Sequence, residues 1–396
     1  MSLLSRNRRQ FFKFLAASPL FQQAWAQSDP PVITAAKDAL SIRDFEAAAH
    51  KVMRPAHWWH MMSGCDDDAT VRANLEGFTH FQLRPRRMVD VSQSSIKTEL
   101  FGTVLDTPIF LSPIGSQVTY NPQGEVAVTK AAKAKGAAYF LPNGSSKTIE
   151  EVIQGTGMVP WFQLYMPKKW EEVIPVVRRI EATGCKVLTW TIDELAGRNL
   201  ESDLRYRYLD KSNCAQCHTD GFRNGVPQNR IQHMEDGYKS GTNPPFATWE
   251  WVDRLRKLTK MKITLKGIVT AEDAKLCREH GVDGIFVSNH GGRSNETRWA
   301  TIDSLGEVVD AAGGMPVLVD GGFRRGTDVY KALALGARAV GIGRPYVWGL
   351  AAFGQEGVER VLDVLTKETQ LIMRQCGTPN LNQITRAYIR RTESGI

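Results

Sequence analysis

Eight short runs of β-forming residues, most of them followed by a segment with helical periodicity, constrain the fold of this chain more than any other feature. The runs cover residues 108–113, 138–142, 161–166, 186–193, 262–267, 284–288, 316–320 and 339–343. Amphipathic segments lie between them at 125–135, 170–182, 271–280 and 328–335. Strands that alternate with helices pair in parallel, and eight such units close into a barrel. The sequence therefore predicts an α/β fold, a (β/α)8 TIM barrel with an N-terminal helical extension and a long insert after the fourth strand.

An open, doubly wound sheet is the alternative architecture. Sheets of that kind that bind dinucleotides carry a G-x-G-x-x-G turn after their first strand. No such motif follows the run 108–113. The motif is absent and eight units are present, so the barrel is favoured.

The charge of the chain is concentrated at its start. Half of the formal net charge of +8 comes from Arg6, Arg8, Arg9 and Lys13, and residues 1–26 contain no acid. The rest of the chain has no Lys/Arg run of the kind that nucleic-acid-binding proteins carry. Nucleic acid is therefore not an expected partner.

Residues 1–26 have the features of a targeting segment. Residues 7–13 read NRRQFFK and resemble a twin-arginine export signal, and Ala24-Trp25-Ala26 matches an A-x-A cleavage site. The apolar stretch between them is too short to span a membrane, and no other segment approaches 18 apolar residues. We predict a signal at 1–26, a barrel domain at 27–396 and a periplasmic location. A basic tail of a cytosolic protein is the alternative.

Polar side chains cluster where the β-type runs stop. They are Gln163, Tyr165, Thr191, Asp193, Lys266, His290, Arg293, Asp320, Arg324 and Arg344. The carboxyl ends of the strands form the active face of such barrels. This clustering predicts an enzyme.

Two kinds of turn indicate the chemistry of this face. The segment 288–293 reads SNHGGR, in which His290 can take a proton near neutral pH and Arg293 can hold a carboxylate. The glycine-rich turns 320–326 and 343–345 have the composition of a phosphate-binding cradle. Together they predict chemistry on a small organic acid beside a bound phosphate group.

From about residue 40 to 390 the chain resembles the FMN-dependent α-hydroxy-acid oxidase and dehydrogenase family, which includes glycolate oxidase, lactate oxidase, mandelate dehydrogenase and lactate-oxidising flavocytochromes. The matching segments are FQLY at 162–165, LKGI at 265–268, SNHGGR at 288–293, DGGFRRG at 320–326 and IGRP at 342–345. They occur in the family's order and at similar spacing.

The resemblance implies roles for the polar face. His290 would remove a proton from the substrate and Asp193 would stabilise the imidazolium. Arg293 would bind the substrate carboxylate, and Tyr165 would donate to the substrate. Lys266 would stabilise negative charge on the reduced flavin. The implied FMN-binding residues are Pro113, Ile114, Gly115, Gln163, Thr191, Lys266, Ser288, Asp320, Gly321, Gly322, Arg324, Gly343 and Arg344.

The chain also departs from the family pattern. The segment 197–203 reads GRNLESD, so that the second carboxylate-binding arginine of the family is shifted to Arg198 or lost. Trp58 stands where the family has a tyrosine, and Gly144 stands in place of a bulky pocket residue. These differences favour a substrate larger than glycolate or lactate. Gly115, as in mandelate dehydrogenase, favours a dehydrogenase over an oxidase.

The predicted insert, 194–246, contains a C-x-x-C-H motif formed by Cys214, Cys217 and His218. This spacing is typical of covalent haem c, in which two thioethers hold the haem and the histidine binds iron. Two other interpretations are open. The three side chains, with His233, could hold zinc or iron, or the two cysteines could form a disulfide or redox pair.

We therefore expect an exported enzyme with FMN and a candidate haem c that oxidises a 2-hydroxy acid, lactate-like or larger, to the 2-oxo acid. Electrons would pass to the haem or to an external acceptor such as a cytochrome c or a quinone, and the resemblance implies a homotetramer. An oxidase that uses O₂ is one rival. A non-redox FMN barrel such as an isomerase is a second, and a haem- or metal-binding module on a degenerate barrel is a third.

Overall fold

Eight parallel strands form the centre of the molecule. Their bounds are β1 (Ile109–Leu111), β2 (Phe140–Pro142), β3 (Trp161–Leu164), β4 (Val187–Thr191), β5 (Lys262–Ile268), β6 (Gly284–Val287), β7 (Val317–Asp320) and β8 (Ala339–Ile342). Hydrogen bonding runs in the order β1-β8-β7-β6-β5-β4-β3-β2. A parallel bridge between Leu111 and Tyr139 brings β1 next to the start of β2. The sheet thus forms a nearly closed barrel, and the predicted fold class is confirmed.

The computed structural model describes residues 32–194, 197–209, 222–223, 226–227 and 244–392. The predicted signal at 1–26 lies outside the described residues. The same holds for Cys214, Cys217, His218 and His233. The domain boundary at residue 26 therefore stays a prediction.

Helices surround the barrel and extend it at both ends of the chain. They are α1 (Ile42–Val52), α2 (Pro55–Met62), α3 (Ala69–Glu76), α4 (Gly124–Ala134), α5 (Ile149–Thr156), α6 (Trp170–Ala182), α7 (Glu201–Leu209), α8 (Trp249–Leu258), α9 (Ala271–Glu279), α10 (Thr301–Ala311), α11 (Gly326–Leu335) and α12 (Arg344–Cys376). Helices α1 to α3 precede the barrel and form the predicted N-terminal extension. Helix α12 is interrupted at Gly354, whose φ is 60°.

The strands are covered on both faces. Every residue of β3, β4 and β6 is buried, as expected for parallel strands between a core and a ring of helices. Local signals in the sequence set the helix starts. In α5, the Thr148 side chain accepts from the Glu151 N–H at 3.2 Å, while Glu151 accepts from the Thr148 N–H at 2.7 Å. This capping box satisfies two N–H groups that a helix start leaves unpaired.

Strand β5 contains an irregularity that shapes the upper face of the barrel. Its register with β6 shifts between Lys266 and Ile268, and the intervening Gly267 has a φ of 116°. A Cβ atom at Gly267 would lie 2.8 Å from the Cβ of Asp193. Because only glycine fits this bulge, β5 can approach the end of β4 and bring Lys266 next to Asp193.

An aromatic cluster fills the lower part of the barrel. The ring of Phe140 lies 5.2 Å from that of Phe110 and 5.1 Å from that of Trp161, measured between centroids. A hairpin of Thr98–Leu100 and Thr103–Leu105 covers this end, and Phe101 at its tip packs on Trp161. The lower end is therefore closed by apolar packing, which leaves the carboxyl end of the strands for chemistry.

None of the helices within the described residues has the length and apolar composition needed to cross a bilayer.

Truncation of the lower cluster should destabilise the whole barrel. We expect Phe140→Ala to lower the free energy of unfolding by about 3–5 kcal/mol, because it leaves a cavity among packed rings. Val104→Ala is the control, since Val104 is 75% exposed, and we expect it to change stability by less than about 0.5 kcal/mol. Urea unfolding measures both. Equal midpoints would contradict this account of the core.

Candidate active site

All predicted site residues that the structure describes lie at or beyond the carboxyl ends of the barrel strands. Gln163 and Thr191 are in β3 and β4, Lys266 is in β5, and Asp320 ends β7. The loops that follow the strands carry the others, namely Pro113, Ile114, Gly115, Tyr165, Asp193, Arg198, Ser288, His290, Arg293, Gly321, Gly322, Arg324 and Gly343, and Arg344 is the first residue of α12. The barrel thus brings together residues that are far apart in the sequence.

His290 has an uncommon backbone conformation, and its side chain is held by Asp193. Its φ is 58°, which is unfavourable for a residue with a side chain and often marks functional sites. Its Nδ1 lies 2.8 Å from Asp193 Oδ1, and its backbone N–H donates to Ser288 Oγ at 3.1 Å. Since Nδ1 is engaged, Nε2 is the nitrogen that can exchange a proton with a substrate.

The Asp193 carboxylate is buried between the Lys266 ammonium and the His290 imidazole. Its Oδ2 lies 3.6 Å from Lys266 Nζ, while its Oδ1 contacts His290. Burial by itself would raise the pKa of Asp193, but the charges of Lys266, His290 and Arg198 overcome that effect and lower it to about 2. Asp193 is therefore a permanent negative charge that stabilises a proton on His290.

Two further side chains reach His290 Nε2. Tyr165 OH lies 3.4 Å from it, and Glu194 Oε1 lies 3.3 Å from it. The same Glu194 oxygen is 2.6 Å from Arg198 Nη1. The predicted pair of His290 and Tyr165 is thus present, and it is accompanied by a carboxylate that the sequence analysis did not select.

Arg293 is anchored by one side of its guanidinium. Its Nη1 donates to the carbonyl oxygens of His60 and Ser63 at 2.6 and 2.7 Å and to Ser63 Oγ at 3.0 Å. Every hydrogen bond that Arg293 makes to the described residues comes from Nη1, so Nε and Nη2 can bind a carboxylate. Burial, reinforced by the charge of Arg198, lowers the pKa of Arg293.

Arg344 and Arg324 extend the positive charge towards the glycine turns. Arg344 donates to the carbonyl of Met61 at 2.9 Å and of Gly291 at 2.9 Å. Burial lowers its pKa to about 9, with contributions from Arg293 and Arg324, and burial lowers that of Arg324 to about 10. Partly buried cations that repel one another are stabilised by an anion. This part of the site therefore suits a phosphate or a carboxylate.

Asp320 organises the loop that carries His290. Its carboxylate accepts from Ser288 Oγ at 2.6 Å and from Ser112 Oγ at 3.0 Å. Ser288 in turn accepts from the backbone of His290, so the end of β7 helps to fix the position of the imidazole. In this structure Asp320 and Ser288 bind each other; their contact with a cofactor stays a prediction.

The sequence analysis missed the contact that ties the N-terminal extension to this loop. The amides of Asn74 and Asn289 exchange two hydrogen bonds of 2.8 and 2.9 Å and are both buried. A side chain at Gly322 would overlap the backbone of Asn74. No local motif predicts such a pair, although the end-of-strand position that selected Asp193 would also have selected Glu194.

Some predicted features are not brought together with His290. Trp58, which replaces a family tyrosine, is buried with its ring 4.5 Å from that of His50. Within the part of the chain that the structure describes, no group of three or more His, Cys, Asp or Glu side chains is arranged to hold a metal ion. The candidate haem ligands Cys214, Cys217 and His218 are not among those residues, so their role remains a prediction.

The carboxyl face of the barrel thus combines a histidine that can accept a proton with positive charges that can hold an anion, as an enzyme acting on organic acids requires. Residues 49–391 match the family of FMN-dependent dehydrogenases. The chain belongs to this family, whose members are oxidoreductases that act on CH–OH donors.

Known relatives agree with this assignment. The chain is 38% identical over 354 residues to the peroxisomal (S)-2-hydroxy-acid oxidase GLO4 of Oryza sativa subsp. japonica, covering 88% of this chain and 95% of that protein. It is 36% identical over 350 residues to glycolate oxidase of Spinacia oleracea, with the same coverage. Among solved structures, a soluble mutant of the membrane-associated (S)-mandelate dehydrogenase from Pseudomonas putida superposes with a TM-score of 0.81. It is 31% identical, and the match covers 90% of this chain and all of that one.

The residues at the upper face fit FMN. The Gln163 side chain is buried, and its Nε2 has no hydrogen-bond partner within the described residues. A buried amide of this kind calls for an acceptor, which a flavin carbonyl supplies. Lys266 is 3% exposed and could neutralise charge on the ring, while Arg324 and the glycine turns could hold the phosphate.

Acid should remove stability that depends on Asp193. Above about pH 5 the carboxylate is charged in both the folded and the unfolded chain. Between about pH 4 and 2 the unfolded chain takes up a proton that the folded protein still excludes, because the pKa of Asp193 is lowered from 3.8 to about 2. We expect the wild type to lose about 2 kcal/mol of stability over this range from this group alone.

Asp193→Asn should lack this component, so that its stability curve converges on that of the wild type as pH falls. Denaturant unfolding at a series of pH values measures the difference. Asp253→Asn removes a carboxylate that is 45% exposed and serves as the control. Parallel curves for the wild type and Asp193→Asn would contradict the lowered pKa.

Proposed function

We propose that this chain is an exported FMN-dependent dehydrogenase that oxidises a lactate-like or larger 2-hydroxy acid to the 2-oxo acid and passes the electrons to a haem or an external acceptor. The observation that carries the oxidation is the contact of 2.8 Å between His290 Nδ1 and the buried Asp193 carboxylate. It supplies a base whose second nitrogen faces Tyr165 and contacts Glu194, which is paired with Arg198.

Substrate binding would depend on Arg293. Its Nε and Nη2 are suited to a bidentate contact with the substrate carboxylate, while Nη1 keeps the guanidinium attached to the end of α2. With the carboxylate bound, the hydroxyl-bearing carbon would lie near His290 Nε2 and Tyr165 OH. The Arg198 side chain, which is 24% exposed, is paired with Glu194 and would add less charge to this contact than a free arginine.

Proton transfer would occur at His290 Nε2. The imidazole accepts a proton from the substrate, and the Asp193 carboxylate at Nδ1 stabilises the resulting imidazolium. FMN, when bound, accepts the electron pair that the substrate loses in this reaction. Lys266, 3.6 Å from Asp193, offsets the charge of the carboxylate before the proton moves.

The export and the electron acceptor are supported by sequence features alone. The twin-arginine-type segment at 7–13 precedes an A-x-A site, and Cys214-Ala215-Gln216-Cys217-His218 has haem c spacing. Haem c is attached outside the cytoplasm, so the two features are consistent with each other. If the motif holds no haem, we propose that FMN passes its electrons directly to an external cytochrome c or quinone.

An oxidase that transfers electrons to O₂ is a second candidate function. It is favoured by the names of two relatives, an (S)-2-hydroxy-acid oxidase and a glycolate oxidase. One mole of hydrogen peroxide per mole of 2-oxo acid would support it. A dehydrogenase would instead reduce an added cytochrome or quinone and yield little peroxide.

His290→Gln should retain FMN and lose most of the oxidation. We expect anaerobic flavin reduction by a 2-hydroxy acid to slow by about 10²–10⁴-fold, as is typical when a general base is removed. His280→Gln is the control. His280 directly follows α9 and pairs with Asp253 at 2.8 Å, so it takes no part in the proposed proton transfer. Unchanged reduction in His290→Gln would refute the assignment of the base.

An absorption spectrum of protein purified from the periplasm tests the haem. We expect a Soret band in the wild type that persists in denaturant, because thioether bonds are covalent, and that is absent from the Cys214→Ser/Cys217→Ser double variant. Cys277→Ser, a buried cysteine on α9, is the control. A periplasmic wild type with flavin bands and no Soret band would refute haem c, and protein retained in the cytoplasm would refute export.

A further inference from the structure

Glu194 is a buried carboxylate inside the candidate site to which the family resemblance assigns no role. It follows Asp193 directly at the end of β4, and its side chain is 3% exposed. Its Oε1 contacts both Arg198 Nη1 at 2.6 Å and His290 Nε2 at 3.3 Å. It therefore contacts the nitrogen at which a substrate would exchange its proton.

Glu194 lowers the net positive charge of the part of the site that binds the ligand. Arg198 and Arg293 are close enough for their charges to oppose each other, and Glu194 acts on Arg293 with the opposite sign. The ion pair with Glu194 offsets one of these two cations. A single carboxylate can then be balanced by Arg293, whereas a second one next to His290 would meet the charge of Glu194.

A substrate bound at His290 lies close to the charge of Glu194. An atom hydrogen-bonded to His290 Nε2 at about 2.8 Å lies no more than about 6 Å from Glu194 Oε1, because Nε2 and Oε1 are 3.3 Å apart. In the proposed reaction this atom is the substrate hydroxyl oxygen, and the carboxylates on the same carbon lie two bonds further from Glu194. Their charges still interact with Glu194 in a buried site, where water screens poorly. Each negative charge on the ligand adds to the repulsion.

We propose that Glu194 is a specificity-determining residue that selects 2-hydroxy acids with one carboxylate and rejects those with two. This inference rests on the proposed function, because it assumes that the ligand at His290 is a 2-hydroxy acid. Glycerate and tartronate test it, since they have three carbons each and differ in carrying a hydroxymethyl group or a second carboxylate. At about pH 8 both carboxyl groups of tartronate are ionised.

The wild-type holoenzyme should prefer glycerate to tartronate in kcat/KM. Glu194→Gln should reduce this preference by about tenfold or more, because it keeps the shape of the side chain and removes its charge. Glu194→Asp should retain most of the preference, since the charge stays. Glu201→Gln is the matched control, because Glu201 is an exposed carboxylate on α7 that pairs with Arg205.

Binding provides a readout that does not need turnover. Calorimetric titration with 3-hydroxypropionate and malonate compares a monoanion with a dianion, and neither has a 2-hydroxyl group to oxidise. We expect the dissociation constant of malonate, divided by that of 3-hydroxypropionate, to fall about tenfold in Glu194→Gln. The same ratio should stay at the wild-type value in Glu201→Gln. Retained flavin absorbance shows that each variant is folded.

The outcomes separate the two proposals. If Glu194→Gln keeps the wild-type malonate ratio within twofold, or if Glu194→Asp loses discrimination to the same extent as Glu194→Gln, the role of Glu194 is refuted. If the ratio shifts as expected but no 2-hydroxy acid reduces the flavin of the wild type, the proposed function fails while the charge selection by Glu194 stands.

Discussion

The buried carboxylate of Asp193, placed between the Lys266 ammonium and the His290 imidazole, is the interaction on which the site depends. A single charge in this position would be costly to bury, but the Lys266 ammonium at 3.6 Å and the hydrogen-bonding imidazole of His290 at 2.8 Å stabilise it. The bulge at Gly267 permits the approach, and the barrel supplies three strand ends at one face. The proposed proton transfer therefore depends on the backbone geometry of β4, β5 and β6.

Positive charge is the second constraint on this face. Arg293, Arg324 and Arg344 are partly buried, and loss of solvation lowers the pKa of each. Two of them donate to backbone carbonyls at the end of α2, so the N-terminal extension is held to the barrel by the same side chains that attract anions. Glu194 moderates this charge next to His290, which connects the electrostatics of the fold to the choice of substrate.

Much of this could be predicted from the sequence. Alternating runs gave the eight strands, because the period of a parallel strand differs from that of a helix, and the position rule for barrels selected Asp193, Lys266 and His290. Long-range contacts could not be predicted in this way. The Asn74–Asn289 amide pair and the contact of Glu194 with His290 join segments that are far apart in the chain, so no local spacing signals them.

The central claim is that Asp193 sustains proton transfer at His290 and does not serve only to hold the fold. Rapid anaerobic mixing of FMN-loaded Asp193→Asn with the hydroxy acid that the wild type oxidises fastest tests it most directly. The account predicts that flavin reduction slows by about 10²-fold or more, while the dissociation constant of the substrate changes little, since Arg293 binds the carboxylate. Reduction at the wild-type rate in a variant that retains FMN would contradict it.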